Sequence, residues 1–415
     1  MDEDLVSTPS EEIQISEVCY SDRFEFHLLV GKRGYETFVS RAKGESLKSL
    51  ALKLRGSSAS ECRRSAEDYR RIPIGDRDRY VRTVIEVGSD LFKKMIPDAA
   101  DRDKFRRILS AHAGMTIRVL AGGVCIPWEA LCLAEDSDTA TYRDFLGWNH
   151  VISRAVEFSY GRDAVPEIVN TTNVGLVEDE NLASVRTGKT RRAAANLGGT
   201  IVTMPLRPLV APSDRDHFYS FFENQSPPKQ VVQFDCHIGN ADVIQSSHMR
   251  VTRRFQIPFR AFDDLEMPDE PFVFLNACSS GSVSWQDTDG YAGTLHAAGA
   301  VLVVAAEADL GDAFMADFAA SFYLAAHGSG TAVEALLKAR RIALSADRNP
   351  SALFYSIYGD TRYRLELSPL AEEKRTELDE VARLVGDVWP PQRGPDPDYR
   401  QRKRLRPTEP DRIEP

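Results

Sequence analysis

The chain lacks the features that mark membrane and secreted proteins. Its 415 residues contain no run of 18 apolar residues, which is about the length that a helix needs to cross a bilayer. It begins with the acidic Met1-Asp2-Glu3-Asp4, whereas a signal peptide begins with positive charge. The net charge of −10 gives no reason to expect direct binding to nucleic acid. We therefore expect a cytoplasmic protein without a membrane or nucleic-acid partner.

Cysteine is also scarce and scattered. The 6 cysteines do not have the spacing of a metal site or of a disulfide framework, so we expect reduced thiols and no bound metal. Gly188-Lys189-Thr190 resembles the end of a phosphate-binding loop, but Ala183 replaces the glycine that such a loop requires. The serine-hydrolase motif G-x-S-x-G is absent as well. These absences predict a protein that works without metal or organic cofactor.

Two apolar runs stand out, and each ends in a reactive side chain. The first run, 231–237, ends in His237, and the second, 271–278, ends in Cys278. Short apolar runs bounded by turn residues are typical of strands buried on both faces of a parallel sheet. Ligands of such sheets bind at the carboxyl ends of the strands. The sequence therefore predicts an imidazole and a thiol side by side at that edge.

Strand and helix patterns alternate through the second half of the chain, which predicts an α/β fold. We expect a three-layer sandwich with a mostly parallel sheet over residues 161–368, preceded by a smaller α/β subdomain over residues 19–160. Residues 1–18 are polar and acidic and are expected to be flexible. Residues 369–415 are expected to form a charged helix and a disordered tail.

A thiol beside an imidazole suits nucleophilic catalysis, because the histidine can take the proton of the cysteine. Cys278 is the predicted nucleophile and His237 the predicted base. Cys236 is the rival thiol, but neighbouring residues on a strand face opposite sides, so it should point away when His237 points in. Backbone N–H groups of Gly239 and Cys278 could stabilise a developing oxyanion. Asp235 is one possibility for a residue that orients His237.

Four segments resemble the CHAT family of caspase-like cysteine peptidases, relatives of caspases and separase. The resemblance covers roughly residues 100–366, and the gap of 41 residues between His237 and Cys278 compares with about 50 in caspases. In one departure, an isoleucine separates His237 from Gly239, whereas relatives usually have the glycine directly after the histidine. The segments are Asn276-Ala277-Cys278-Ser279-Ser280-Gly281, Ile126-Pro127-Trp128-Glu129-Ala130-Leu131, 290–304 and 328–343.

The resemblance implies a caspase-like core and a cysteine endopeptidase that acts on a protein substrate. It implies that Asp309, just after a strand, binds a basic residue before the scissile bond, as an aspartate does in separase-like relatives; Asp312 is the second candidate. It also implies a role in bacterial signalling or defence, with activation by a protein or ligand.

Two other functions fit the sequence less well. A catalytically inactive caspase-like adaptor is disfavoured because both Cys278 and His237 are present. A flavodoxin-like nucleotide-binding module would suit the strand order, but this sequence lacks the glycine-rich loop that would hold a phosphate.

Overall fold

The fold is described from a computed structural model of the protein. It describes residues 12–31, 34–64, 74–120, 126–155, 168–170, 173–204, 213–223, 228–239, 247–252, 255–277, 290–327, 329–359, 361 and 363–366.

The described residues form strands and helices that alternate over most of the chain. The strands are β1 (Ile13–Cys19), β2 (Phe24–Val30), β3 (Gly34–Ser40), β4 (Thr116–Leu120), β5 (Val151–Ala155), β6 (Ile168–Asn170), β7 (Asn173–Glu178), β8 (Thr200–Thr203), β9 (Val231–Gly239), β10 (His248–Arg250), β11 (Gln256–Pro258), β12 (Phe272–Ala277), β13 (Leu302–Ala306), β14 (Tyr355–Gly359) and β15 (Arg364–Glu366). The helices are α1 (Gly44–Arg64), α2 (Ile74–Met95), α3 (Ala99–Ala111), α4 (Leu146–Asn149), α5 (Ala183–Arg186), α6 (Lys189–Ala195), α7 (Asp214–Glu223), α8 (Tyr291–Ala297), α9 (Asp312–His327) and α10 (Ala332–Ser345). Among these helices none is both long and apolar enough to cross a bilayer.

One large, mostly parallel sheet runs through the molecule. It has 13 strands, in the order β11-β10-β9-β12-β13-β14-β5-β4-β1-β2-β3, with β7 beside β9 and β8 beside β7. Parallel pairing joins β8, β7, β9, β12 and β13 in turn. Helices flank this sheet, so the predicted α/β fold with a mostly parallel sheet is confirmed.

The strands of the predicted N-terminal subdomain belong to this same sheet. Strand β5 pairs in parallel with β14 over only Ile357↔Ser153 and Tyr358↔Arg154, and β4 and β1 continue the sheet from there. The division of the chain into domains therefore stays a prediction, because a continuous sheet does not mark a boundary.

The start of the chain corrects one expectation. Residues 13–18 were expected to be flexible, but they form most of β1, which pairs with β2 and β4. Ile13 and Ile15 are fully buried, whereas the intervening residues are polar. This alternation is short and lies within an acidic segment, so composition concealed it.

Most other elements agree with the sequence patterns, and one helix is divided. The pattern over 183–197 predicts a continuous helix, but the chain forms α5 and α6 instead. Gly188 separates them with a φ of 69°, a left-handed conformation that glycine adopts readily.

Two apolar cores pack against the two faces of the central strands. Alternate residues of β12 face opposite sides: Phe274 packs with the aromatic residues of α9, while Val273 and Leu275 belong to the second core. The second core also contains Cys236 of β9 and Tyr291 of α8. Because both faces are covered, only the ends of these strands are open to a ligand.

Candidate active site

Four parallel strands end at one edge of the sheet. β7 ends at Glu178, β9 at Gly239, β12 at Ala277 and β13 at Ala306. In the ladder between β9 and β12 the last pair is Ala277↔Cys236. In the sequence, Cys278 follows Ala277 and His237 follows Cys236. Cys278 lies outside the described residues, as do residues 240–246 and 279–289.

The two neighbouring residues at the end of β9 differ in environment. Cys236 is 1% exposed, and its thiol donates to the carbonyl oxygen of Val177 at 3.4 Å. Burial raises the pKa of Cys236 well above its ordinary value, and nearby carboxylates raise it further. His237, by contrast, is exposed at the edge. Strand alternation thus directs the imidazole into the site and keeps the Cys236 thiol protonated in the core.

His237 lies among charged groups that the sequence patterns did not bring together. It pairs with Arg250 of β10, whose guanidinium donates from Nε to Asp179 Oδ2 at 2.9 Å. Loss of water contact lowers the pKa of His237, and Arg250 lowers it further, while Asp179 and Asp309 act in the opposite sense. A lowered pKa keeps the imidazole neutral near pH 7, which is the form that accepts a proton.

Gly239 has a neighbour that accounts for its lack of a side chain. It pairs with His248, and a Cβ at position 239 would lie 2.4 Å from the His248 ring. The glycine therefore lets a second imidazole rest against the backbone beside His237. Its predicted role as an oxyanion donor stays a prediction.

The two candidate substrate-binding acids differ in what they contact. Asp309, half-buried, follows β13 and is close enough to His237 to raise the pKa of the imidazole. Asp312 begins α9 and accepts hydrogen bonds from Ser184, one from its backbone N–H at 2.9 Å and one from its hydroxyl. Asp312 thus links α9 to α5, whereas Asp309 faces the edge that carries His237.

A buried polar group lies under this edge, between β9 and β12. Asn276 Nδ2 donates to Asp235 Oδ1 at 2.8 Å, and Gln233 Nε2 donates to the other carboxylate oxygen. Tyr323 donates to Gln233 Oε1 at 2.8 Å, and Tyr355 donates to Asn276 Oδ1. All five side chains are buried. The sequence signal of this group is the polar residues that interrupt apolar strands, and of these only Asp235 was a candidate for orienting His237.

A second buried group joins the end of β13 to the N-terminal half of the chain. Glu307 accepts from Arg154 Nε at 3.1 Å and from Arg55 of α1 at 3.2 Å. Arg154 also donates to Glu129 at 2.6 Å, and Glu129 lies in the segment 126–131 that resembles the CHAT family. Burial would raise the pKa of Glu307, but Arg154 and Arg55 outweigh burial and hold the pKa below its ordinary value. Glu307 is therefore a fixed anion two residues before Asp309.

The donor chemistry of the site does not suggest a metal centre. In the described part of the chain, no group of three or more His, Cys, Asp or Glu side chains is arranged to hold a metal ion.

Comparison with known proteins bears on this arrangement. A family model described as the CHAT domain matches residues 248–379, a region that includes Cys278, Asp309 and Asp312 but begins after His237. The resemblance to the CHAT family is confirmed. The match covers less than half of the chain, and among curated proteins no sequence matches it.

Among solved structures, the chain is similar to the Saccharomyces cerevisiae separase–securin complex. One structure of that complex matches with a TM-score of 0.51 at 12% identity, over 86% of this chain and 30% of the matched chain. A second matches with a TM-score of 0.49 at 11% identity, with the same coverage. The chain thus spans about 30% of the separase chain's length, and at this identity the first match shows a shared fold alone.

The buried Asp235 carboxylate generates a prediction about stability. Burial raises its pKa from 3.8 to about 7; Asn276 and Gln233 oppose this rise, while Glu178 and Asp312 add to it. A raised pKa favours folding below about pH 4, and this contribution is lost as the pH rises to about 7. The Asp235→Asn side chain carries no charge at any pH. As the pH rises from about 4 to about 7, the free energy of unfolding of this variant should therefore increase relative to that of the wild type, by on the order of a few kcal/mol.

Urea unfolding of both proteins between about pH 4 and pH 8 measures this difference. A difference in unfolding free energy that stays constant across the range would show that Asp235 does not titrate in this way.

Proposed function

We propose that this protein is a cysteine endopeptidase in which Cys278 and His237 form a catalytic dyad. One observation carries the proposal: the parallel ladder between β9 and β12 closes at Ala277↔Cys236, with the exposed His237 next in one strand and Cys278 next in the other. Cys278 follows Ala277 directly in the sequence, and consecutive Cα atoms lie about 3.8 Å apart. The CHAT match and the separase-like fold support the assignment.

In the proposed reaction His237 accepts and then donates a proton twice, once as the thioester forms and once as water hydrolyses it. His237 takes the proton of the Cys278 thiol, and the thiolate attacks the carbonyl carbon of the scissile bond. The oxyanion is held by backbone N–H groups, for which Gly239 and Cys278 are the candidates. The intermediate collapses to a thioester as the C–N bond breaks, and His237 gives its proton to the leaving amine. Water then attacks the thioester with His237 as base, which restores the thiol. No metal or organic cofactor takes part.

The proposed dyad predicts which of three single variants keep proteolytic activity. Cys278→Ala and His237→Ala should abolish cleavage of a protein substrate, because each removes a partner in the proton transfer. Cys236→Ala is the matched control, since that thiol is buried in the core, and it should keep most activity. Cleavage of a casein or peptide-library substrate measures all three. Loss of turnover in Cys236→Ala but not in Cys278→Ala would contradict the assignment.

Asp309 is proposed to bind an Arg or Lys residue before the scissile bond. Its position after β13, near enough to affect the pKa of His237, supports this role. A carboxylate in a partly desolvated pocket favours a cation, and arginine can bind it with two parallel hydrogen bonds. Cleavage should follow Arg, with Lys weaker and Asp refused.

Asp309→Ala should lower turnover of Arg substrates by about one to two orders of magnitude, because a charge-assisted contact contributes roughly 1.5–3 kcal/mol. The reaction of Cys278 with a small alkylating agent should change little, which separates specificity from chemistry. Profiling of a peptide library with both proteins is the measurement. An apolar or acidic preference in the wild type would refute the role, and an Arg preference that survives in Asp309→Ala would move it to Asp312.

The peptidase is further proposed to be activated by a protein or ligand in bacterial signalling or defence. This proposal rests on the CHAT resemblance, and it places the change around residues 240–250 and 280–290, which follow β9 and β12 in the sequence; within the first range, His248–Arg250 form β10. The purified protein alone should be weakly active. Co-expression with the products of neighbouring genes should increase cleavage, and full activity of the purified chain on its natural substrate would contradict the proposal.

A catalytically inactive adaptor is the alternative, and the same variants distinguish it. An adaptor would bind its partner equally well with Cys278→Ala and would cleave nothing.

A further inference from the structure

The strand that leads to Cys278 is apolar over most of its length. β12 presents Phe272, Val273, Phe274 and Leu275 to both faces of the sheet. Such a strand pairs nearly as well after a slip of two residues, because the slip exchanges one apolar neighbour for another on the same face. Apolar burial alone therefore does not define the alignment of β9 with β12.

The polar residues in this ladder define it instead. Asp235 of β9 lies opposite Asn276 of β12, and the two are joined by a hydrogen bond of 2.8 Å. Gln233 donates the second hydrogen bond to the carboxylate. The Tyr323 hydroxyl donates to the amide oxygen of Gln233, and the Tyr355 hydroxyl donates to that of Asn276. Each carboxylate and amide oxygen of the pair and of Gln233 thus has a donor in the observed alignment.

A slip of two residues would break these contacts. Asp235 would then face Phe274 or the position of Cys278, and its buried carboxylate would lose the Asn276 donor. Unpaired buried carboxylates are among the most costly groups in a protein interior. At about 3.3 Å per residue, the slip would also move the end of β12 by roughly 7 Å relative to His237, whereas a proton transfer needs contact at about 3 Å.

The pair lies one step below the proposed dyad. His237 follows Asp235 by two residues, and Cys278 follows Asn276 by two residues. Asp235 and His237 therefore share a face of β9. We infer that Asp235 and Asn276 are positioning residues. They fix the register of β9 against β12, and so hold the His237 imidazole within hydrogen-bonding distance of the nucleophile. This inference rests on the proposed dyad and identifies what aligns it.

An exchange of the two residues tests the inference. In the double variant Asp235→Asn/Asn276→Asp, the amide placed at 235 can accept from Gln233 and donate to the carboxylate placed at 276, which accepts from Tyr355. All the hydrogen bonds are kept with their direction across the pair reversed. The single variant Asn276→Asp instead sets two carboxylates against each other, and Asn276→Ala removes the donor without adding charge.

The readout is the rate of Cys278 alkylation by iodoacetamide between about pH 5 and pH 10, with the labelled cysteine identified by mass spectrometry. A free thiol with a pKa near 8.5 is only a few per cent thiolate at pH 7, whereas a thiol whose proton a neighbouring imidazole accepts has a lowered pKa and a larger thiolate fraction. The wild type should therefore react at least ~10-fold faster at pH 7 than His237→Ala. Asn276→Asp and Asn276→Ala should fall to the rate of His237→Ala, and the exchange variant should recover most of the wild-type rate.

Val232→Ala is the matched control for lost stability. Val232 is fully buried on the other face of β9, so its truncation leaves a cavity without touching the pair. The pH dependence of Cys278 alkylation in Val232→Ala should match that of the wild type, even if Val232→Ala and Asn276→Ala lower the melting temperature equally.

The outcomes separate this inference from the proposed function. If wild-type alkylation depends on His237 but is unchanged in Asn276→Ala, or is not restored by the exchange, the positioning role is overturned. If wild-type alkylation does not depend on His237, the dyad itself is overturned. Recovery in the exchange variant supports both.

Discussion

The structure depends on a buried ion group at the junction of its two halves. Strand β5 meets β14 over only two residue pairs, and across this junction Arg154 lies between Glu129 and Glu307. Arg55 of α1 reaches the same Glu307. Removing one partner of a buried ion pair commonly costs about 3–5 kcal/mol, because the other charge is left without compensation. The N-terminal half is thereby tied to Glu307, two residues before Asp309, in the segment that follows β13.

At that edge, charge and burial give neighbouring residues different chemistry. Cys236 is kept as a protonated thiol in the core, whereas His237 is exposed and has a lowered pKa. The Arg250–Asp179 ion pair lies beside the imidazole and limits how far either charge alone could shift its pKa. The same alternation that forms the sheet thus separates an inert thiol from an accessible base.

The sequence predicted the strands that end at the site, because apolar runs bounded by turn residues are a local signal. It could not predict β1, whose two buried isoleucines lie in an acidic segment, or the break between α5 and α6 at Gly188. It also missed the neighbours of His237. His248 and Arg250 of β10, and Asp179 just after β7, meet His237 only through the pairing of β10 and β7 with β9, which local patterns do not encode. The Asn276–Asp235 bond joins residues 41 positions apart and depends on the same tertiary alignment.

The central claim is that the thiol after β12, and not the one in β9, is the nucleophile served by His237. The most direct measurement is labelling with a peptidyl acyloxymethyl ketone that ends in arginine, followed by peptide mapping. Such an electrophile reacts with a thiolate that is ionised in a peptide-binding site. Label on Cys278 in the wild type, with its loss in His237→Ala, is the predicted result. Label on Cys236, or label on Cys278 that is unaffected by His237→Ala, would contradict the account.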